Sequence, residues 1–449
     1  MEVKTLLKKK VNPDLIFALL LVIFIIFTLL LASRLRMGLS PDSYYHLRVS
    51  EAYSTTLGVP PNTPDTYQWR DITRIPYLYF WINGRVLNAT ENLIDGILIL
   101  RIVNIIYSSL TVLIAYLLSK ELIKGTWKRI LPTFLLMNTL MFTFLSSSIN
   151  YDNLANLFSV FGIYLFVRFF KSKLDFKFLF LMLISLGLGS FTKFTVFPLA
   201  LILVLLAVYH IYKNRKEIKL SDIIKYWYLF IPLLLVLFFN IQVYSVNYFR
   251  YGSLRVPCEK ILTHEQCLKN GVYYRNRTET PLQEIEGVGN ILRLIFTGER
   301  IGFVRYFSLW VWDITGKIFG IMGDSSLYMP EYFKYFFITL LFIAIVSGVI
   351  NRKQWKKIDI YVLIVTLFYV GVLFFLQNYK TYIRSNRYYL ALQGRYVFPV
   401  IVSLYILFSK SIFSIKIKWI KIAVLLLLIG VFSYSCIPFF LLNVPDSWF

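Results

Sequence analysis

The chain has 449 residues, a formal net charge of +24 and 57% hydrophobic residues. Charged residues make up 16%, well below the roughly 25% usual in soluble domains, so an ordinary soluble protein of this length is excluded. Nucleic acid is not expected as a partner, because no basic stripe or base-stacking surface accompanies the charge. The predicted class is an all-α polytopic membrane protein, since long apolar runs recur along the sequence.

About eleven membrane-spanning helices are predicted. The first run follows a cluster of three lysines and lacks a small-residue cleavage site, so we expect a retained anchor rather than a removed signal peptide. The eleven runs cover residues 15–33, 96–119, 130–147, 154–170, 178–191, 195–212, 227–246, 332–350, 358–376, 397–409 and 422–442. With no internal repeat or flexible linker between them, residues 1–449 are predicted to form a single transmembrane domain.

Lysine-rich connections set the predicted orientation. Every second connection is short and rich in lysine, which places these connections and the amino terminus in the cytoplasm by the positive-inside rule. The long segments 34–95, 247–331 and 377–396 then form the extracytoplasmic face, and the carboxyl terminus lies there too.

Arginine replaces lysine as the main cation of the outer segments. Guanidinium groups bind phosphate and carboxylate as a two-pronged fork and are weakly hydrated. Either these arginines pair with outer acids such as Asp65 and Asp71, or they hold a phosphate-bearing ligand. In the same region, Cys258 and Cys267 either form a disulfide, as a non-cytoplasmic loop allows, or remain free thiols.

Asp42 begins a predicted amphipathic helix directly after the first span. Tyr45, Val49 and Tyr53 recur at helical spacing, which favours a helix lying at the outer membrane interface with its tyrosines toward the lipid. Asp42 is either a residue that decorates the helix start or a functional carboxylate. Asp152, in the tight outer turn before the fourth span, allows the same two interpretations. Two carboxylates at one depth suit base or metal chemistry.

Two cations occupy later outer turns. Lys193 follows Gly189 in the turn between the fifth and sixth spans, where it either extends toward the membrane surface or takes part in a site. Arg395 stands at the outer entrance of the tenth span. An arginine buried there without a partner would be costly, which favours a functional role.

In this order and on this side, the motifs resemble those of the GT-C superfamily of membrane glycosyltransferases. The superfamily includes protein O-mannosyltransferases and the lipid A aminoarabinose transferase. The matching features are Asp42 with His46 in Pro-Asp-x-x-x-His, Asp152 in the next outer turn, Gly189 to Lys193 as Gly-x-x-x-Thr-Lys, and Arg395-Tyr396 ahead of Pro399. Ser43 stands where many relatives have a second acid, so the strict acid pair is missing.

The resemblance implies transfer of a sugar from a polyprenyl-phosphate-linked donor to an acceptor hydroxyl outside the cytoplasm, with inversion. The acceptor would be a glycan, a lipid or a protein. Asp42 would be the general base, and the residues orienting acceptor or sugar would be Asp152, His46 and Glu51. The donor phosphate would be held by Lys193, Arg395, Arg48 and Tyr396. No cofactor is certain, and a divalent cation such as Mg²⁺ or Mn²⁺ on Asp42 and Asp152 stays an open alternative.

Two other functions compete with this hypothesis. A transporter or flippase for a lipid-linked sugar usually shows repeated halves and charges near the bilayer midplane, whereas here the ionisable residues gather at the outer edge. An oligosaccharyltransferase-like enzyme is suggested by Tyr44 to Arg48, which is similar to the first loop of the archaeal enzymes. The large carboxyl-terminal globular domain of those enzymes has no counterpart in this sequence.

Overall fold

The computed structural model is built almost wholly of helices. It describes residues 12–69, 71–91, 94–172, 174–285 and 287–449, and within these ranges the one β-contact is an isolated bridge between Ile321 and Leu327. The α-helices, numbered in chain order, are α1 (Pro13–Arg34), α2 (Ser43–Ser54), α3 (Pro64–Tyr67), α4 (Leu78–Ala89), α5 (Gly96–Leu122), α6 (Ile130–Met137), α7 (Leu140–Ser146), α8 (Asp152–Lys171), α9 (Phe176–Thr192), α10 (Phe197–Lys213), α11 (Leu220–Ile224), α12 (Phe230–Asn240), α13 (Val246–Tyr251), α14 (His264–Leu268), α15 (Gly271–Tyr274), α16 (Val288–Phe296), α17 (Phe303–Phe319), α18 (Glu331–Ile350), α19 (Lys357–Val372), α20 (Lys380–Ser385), α21 (Phe398–Phe413), α22 (Lys418–Ser435) and α23 (Ile437–Asn443). Single π-helical turns join α12 to α13 and α19 to α20.

The polytopic membrane class is confirmed, with a somewhat smaller number of crossings. Within the described residues, nine helical segments are long and apolar enough to cross a membrane, and the number is ten if a bent helix pair is counted as one broken span. The remaining predicted run corresponds to α9, an apolar helix of 17 residues. Each of the eleven runs therefore matches a helix or a helix pair, although two of them are not simple full-length spans.

The bent pair is α6 and α7, whose axes differ by 70°. Asn138 and Thr139 form the break, and their side chains donate to the carbonyls of Phe134 at 2.9 Å and Leu135 at 2.8 Å. A broken helix in a membrane needs such replacements, because exposed backbone groups find no water there. The bend therefore depends on local side-chain hydrogen bonds, which hydropathy does not detect.

Two spans lie at the centre of the bundle. The apolar windows of the segments Asp152–Lys171 and Gly394–Phe413 are each 72% buried, whereas those of the other spans are 28–44% buried. Asp152 is the first residue of one central span, and Arg395 lies in the first turn of the other. The two most enclosed helices therefore begin with charged residues at the same end of the molecule. We call this end the site face.

The first long loop packs against protein rather than lipid. The predicted helix after Asp42 exists as α2, but its apolar side contacts α4, and Tyr53 is fully buried. Gly84 permits this close approach, because a Cβ there would lie 2.6 Å from the Tyr53 carbonyl carbon. The Arg85 guanidinium also donates to carbonyls at the end of α2, including that of Thr56 at 2.7 Å. The expected membrane-facing orientation is therefore wrong, because α4 covers the apolar side.

The second long loop is anchored in two ways. Cys258 and Cys267 form a disulfide, so the first of the two sequence-based alternatives holds. The end of α17 docks on Gly394, where a Cβ would meet the Lys317 carbonyl oxygen at 2.4 Å. The Lys317 ammonium donates to the Leu392 carbonyl at 3.0 Å. This loop is therefore held against the segment that carries Arg395.

Candidate functional site

Four charged side chains from distant parts of the sequence meet at the site face. The Arg395 guanidinium donates from Nη2 to Asp42 Oδ2 at 2.8 Å, and its Nη1 lies 3.4 Å from Asp152 Oδ2. The Lys193 ammonium pairs with Asp152 Oδ1. We call Asp42, Arg395, Asp152 and Lys193 the charged cluster. The structure thus brings together the base candidate and three of the residues predicted to act beside it.

Burial makes this cluster a permanent feature of the fold. The side chains of Arg395, Asp152 and Lys193 are only 2%, 4% and 7% exposed, whereas that of Asp42 is 33% exposed. Buried charges are tolerated when each has a partner of opposite sign, and removing one partner is strongly destabilising. Asp42 is the member that incoming molecules can reach, so a reaction would occur at its carboxylate.

Asp42 is not held as a helix cap. Its backbone is left-handed, with φ 59° and ψ 17°, a conformation that aspartate tolerates better than most residues. Within the described chain its carboxylate makes no capping hydrogen bond to α2. The Asn150 amide donates to the carbonyl of the preceding Pro41 at 3.1 Å. This backbone turns the Asp42 side chain toward Arg395 instead of along its own helix.

Aromatic rings surround the cations of the cluster. The Lys193 ammonium lies 4.4 Å from the ring centroid of Tyr151 and 5.2 Å from that of Tyr396. The Tyr369 hydroxyl donates to the Tyr396 carbonyl at 3.1 Å, which fixes the turn that carries Arg395. Tyr396, predicted to bind phosphate, is therefore placed as a cation–π neighbour of Lys193.

A network of buried asparagines, which the sequence analysis missed, joins the turns of the site. Asn104 Oδ1 accepts from the Asn153 amide at 2.9 Å and from the Asn150 backbone N–H at 3.3 Å. Asn150 Oδ1 in turn accepts from the Asp152 backbone N–H at 2.9 Å. The sequence feature that could have indicated this network is the presence of several asparagines in or beside apolar spans. Burying an amide there is costly unless it forms hydrogen bonds.

His46 lies beside the cluster inside an aromatic cage. Its ring is 4.4 Å from the Tyr151 centroid and 5.8 Å from the Phe80 centroid. Among the described residues neither ring nitrogen has a hydrogen-bond partner, and burial lowers the pKa of His46 to about 3. The histidine is therefore neutral at physiological pH and lies one helical turn after Asp42. Its role in orienting a substrate stays a prediction.

Acidification should destabilise the protein through His46. Between pH 6.5 and about 3, His46 binds a proton in the unfolded chain but stays neutral in the folded protein. The free energy of unfolding therefore falls as the pH drops through this range. At about pH 5 this linkage costs roughly 2 kcal/mol. The free energy of unfolding can be measured by denaturant in detergent at about pH 7.5 and 5. Its fall between the two pH values should be smaller by this amount in His46→Phe than in the wild type. Equal acid sensitivity in the wild type and in His46→Phe would contradict the lowered pKa of His46.

Arg48 and Glu51 are not joined to the charged cluster. They form an ion pair of 2.9 Å on the open side of α2, with side chains 51% and 41% exposed. Exposed pairs of this kind contribute little to stability, so both groups can turn to a ligand. Their predicted roles, phosphate binding for Arg48 and substrate orientation for Glu51, remain predictions.

The geometry does not suit a metal ion between the two carboxylates. The Arg395 guanidinium occupies the space between Asp42 and Asp152, where it contacts both. The described part of the chain contains no group of three His, Cys, Asp or Glu side chains placed to hold a metal. A divalent cation would have to displace Arg395, so the residues present do not fit the cation that the sequence left open.

A cleft lies between the first loop and the span Trp227–Tyr251, and its Tyr77 contacts Phe191, two residues before Lys193. Its volume is about 310 Å³, and it is lined by Val59, Pro60, Pro61, Thr73, Arg74, Tyr77, Gln242 and Val243. Gln242 and Val243 belong to the π-helical turn of that span. The buried Asn247 amide donates to the Arg74 carbonyl at 3.0 Å. The cleft is thus mainly apolar and carries one cation, Arg74, whose backbone is held by Asn247 and which the sequence analysis did not single out.

The fold and the site together define a multi-pass α-helical membrane protein with a buried ion cluster at one face. The family model described as dolichyl-phosphate-mannose-protein mannosyltransferase matches residues 79–249. This segment includes Asp152 and Lys193. No curated protein sequence shows significant similarity to the chain.

Two solved structures resemble the chain in fold. The fold is similar to that of ArnT from Cupriavidus metallidurans bound to undecaprenyl phosphate, with a TM-score of 0.50 and 12% identity over 93% of this chain. The chain spans 62% of the length of that ArnT chain. An oligosaccharyltransferase from Archaeoglobus fulgidus matches with a TM-score of 0.45 and 11% identity, over 92% of this chain and 52% of that one. The chain is therefore similar, over residues 79–249 and in its fold, to proteins of the kind that its four motifs resemble.

Proposed function

We propose that this chain is a membrane glycosyltransferase that transfers a sugar from a polyprenyl-phosphate donor to an acceptor hydroxyl. The observation that carries the proposal is the partly exposed Asp42 carboxylate, fixed by a buried arginine at the site face. The family match and the GT-C fold support the same reaction class. The lysine-rich connections lie at the opposite face, so the site would be extracytoplasmic.

The proposed chemistry needs one base and a stable leaving group. Asp42 accepts the proton of the acceptor hydroxyl while the hydroxyl oxygen attacks the anomeric carbon. The bond from that carbon to the lipid phosphate breaks, the phosphate keeps the electron pair, and the configuration inverts. Since the phosphate leaves as a stable anion, no strong general acid is required. The bond from Arg395 to Asp42 fixes the direction in which the carboxylate presents its free electron pairs.

The two buried cations are better placed to hold carboxylates than to hold phosphate directly. Lys193 and Arg395 already neutralise Asp152 and Asp42, so a phosphate would have to compete with a carboxylate for either of them. Arg74 is half-buried and lines the adjoining cleft. Tyr77 in the same wall packs edge-on against Phe191, 4.5 Å away, just before Lys193. We propose that the donor phosphate binds Arg74 in this cleft, which the Tyr77–Phe191 contact places near Lys193.

The cleft assignment predicts a donor-specific defect. Arg74→Ala should raise the donor concentration for half-maximal transfer by about 10- to 100-fold, because a charge-assisted hydrogen bond is lost. Arg74→Lys should recover part of this loss, since a point charge cannot reproduce the fork. The measurement is transfer rate against donor concentration, with the exposed Arg305→Ala as control. An unchanged donor dependence in Arg74→Ala would exclude the cleft as the phosphate site.

The reaction itself is tested with purified protein in sealed vesicles. Radiolabelled polyprenyl-phosphate mannose and glucose are supplied with a native membrane extract as the source of acceptors. A transferase forms a new covalent product that survives extraction of the lipid donor. A transporter or flippase would move the label across the bilayer without forming any glycosidic bond. This second outcome would overturn the proposed function.

A further inference from the structure

A short turn between α17 and α18 presses against the segment that leads to Asp42. Ile321 and Leu327 close it with reciprocal backbone hydrogen bonds of 2.9 and 3.0 Å. A Cβ on Gly323 would lie only 2.4 Å from the Leu39 carbonyl oxygen and 2.9 Å from Pro41. The Ser325 N–H also donates to the Leu39 carbonyl, at 3.4 Å. The turn therefore has a fixed position immediately beside the base candidate.

The same turn is fixed from the Arg395 side as well. It follows α17 directly, and the end of α17 docks on Gly394 through the Lys317 backbone. Gln393 accepts from Arg395 Nε at 2.5 Å, which connects this docking surface to the cluster. Residues 322–326 are therefore held between the two segments that carry the Asp42–Arg395 pair, although they are far from both in sequence.

Asp324, in this turn, places a third carboxylate beside the segment that leads to Asp42. Its side chain is exposed, so molecules entering the site can reach it. Partial burial and the nearby Asp42 carboxylate raise the pKa of Asp324, while the Arg395 guanidinium opposes the rise. The turn thus adds a carboxylate on the Asp42 side of the cluster, whereas Lys193 pairs with Asp152.

We propose that Asp324 and Asp42 form the acceptor subsite, and that this subsite selects acceptors that are neutral or positively charged around the reacting hydroxyl. Carboxylates accept hydrogen bonds from hydroxyl, amide and ammonium groups, and a like-charged group beside them is repelled. The donor phosphate therefore belongs at Arg74 in the cleft, and the acceptor belongs beside Asp42 and Asp324. This inference rests on the proposed transferase function.

The test separates acceptor binding from catalysis. Label transfer from polyprenyl-phosphate mannose is measured against increasing amounts of the active membrane extract, after ion exchange has divided the extract into anionic and non-anionic acceptor fractions. Wild-type product should form in the non-anionic fraction. Asp324→Asn should need about tenfold more acceptor for half-maximal rate, since a hydrogen bond to a charged group is lost. Its rate at saturating acceptor and its donor dependence should stay close to wild type.

Two further variants distinguish substrate binding from a structural role of the turn. Asp324→Glu should restore part of the acceptor affinity, whereas damage to the turn would lower the saturated rate and would not be rescued. Glu299→Gln removes a carboxylate elsewhere in the same loop, where Glu299 accepts from the Thr297 hydroxyl, and should behave as wild type. An unchanged acceptor dependence in Asp324→Asn, or product confined to the anionic fraction, would overturn the inference alone. Absence of any transfer by wild-type protein would overturn the proposed function with it.

Discussion

Replacing Asp42 with asparagine is expected to lower sugar transfer by about 10²- to 10⁴-fold, the usual contribution of a general base. Asparagine has nearly the same shape, and its side-chain oxygen can still accept from Arg395. It cannot take up the proton of an acceptor hydroxyl at neutral pH. The donor dependence and the unfolding midpoint should change little. The measurement is the rate of label transfer at saturating donor and acceptor.

The matched control for this experiment is Asp65→Asn, the same substitution at an exposed position in α3 of the same loop. It should leave transfer unchanged. Asp42→Asn with wild-type transfer would exclude Asp42 as the base. Asp152 would then be the remaining carboxylate of the cluster, but it is 4% exposed and paired with Lys193, so the mechanism would require the cluster to open.

Hydropathy was sufficient to find the spans because the bilayer imposes one simple requirement on each of them. Every helix that faces lipid must be apolar over about 20 residues, whatever it packs against. The bend at Asn138 could not be found in this way, since it depends on side chains that replace lost backbone hydrogen bonds. For α2, the spacing of Tyr45, Val49 and Tyr53 predicted the correct apolar side. Which surface covers that side was decided by α4, a contact that spacing does not contain.

The charged cluster could be predicted because each member stands at the outer end of a span. Topology then brings Asp42, Asp152, Lys193 and Arg395 to the same depth, even though up to 353 residues separate two of them. Asp324 had no comparable signal. Its position depends on the fold of a long loop and on the docking of α17 against Gly394, which are tertiary contacts between irregular segments. The Asn104 network was missed for the same reason.

The contacts within the cluster differ from the roles that the sequence predicted for its cations, and those roles stay predictions. Arg395 and Lys193 were expected to bind phosphate, yet each is committed to a carboxylate in the structure. Such pairing fixes the position of Asp42 and gives the buried Asp152 carboxylate partners of opposite charge. Catalysis and stability are therefore coupled at Arg395, and a change there should affect both.

Arg395→Ala should show this coupling as a large loss of both activity and stability. The substitution leaves Asp42 and Asp152 facing each other without the guanidinium, and breaking a buried ion pair in this way typically costs about 3–5 kcal/mol. Transfer should fall by at least about 10²-fold, because the base loses its fixed direction. Arg395→Lys should recover only part of either property, since an ammonium lacks the planar fork with which the guanidinium contacts both carboxylates.

Denaturant unfolding in detergent, transfer rate and donor dependence should all be measured on the same Arg395 variants. Arg387→Ala, an exposed arginine that bonds to Tyr389, is the matched control and should match wild type in all three. If Arg395 instead binds the donor phosphate directly, Arg395→Ala would keep its stability and lose donor affinity. That pattern would contradict the scaffold role, because removing a scaffold must destabilise the cluster before any donor arrives.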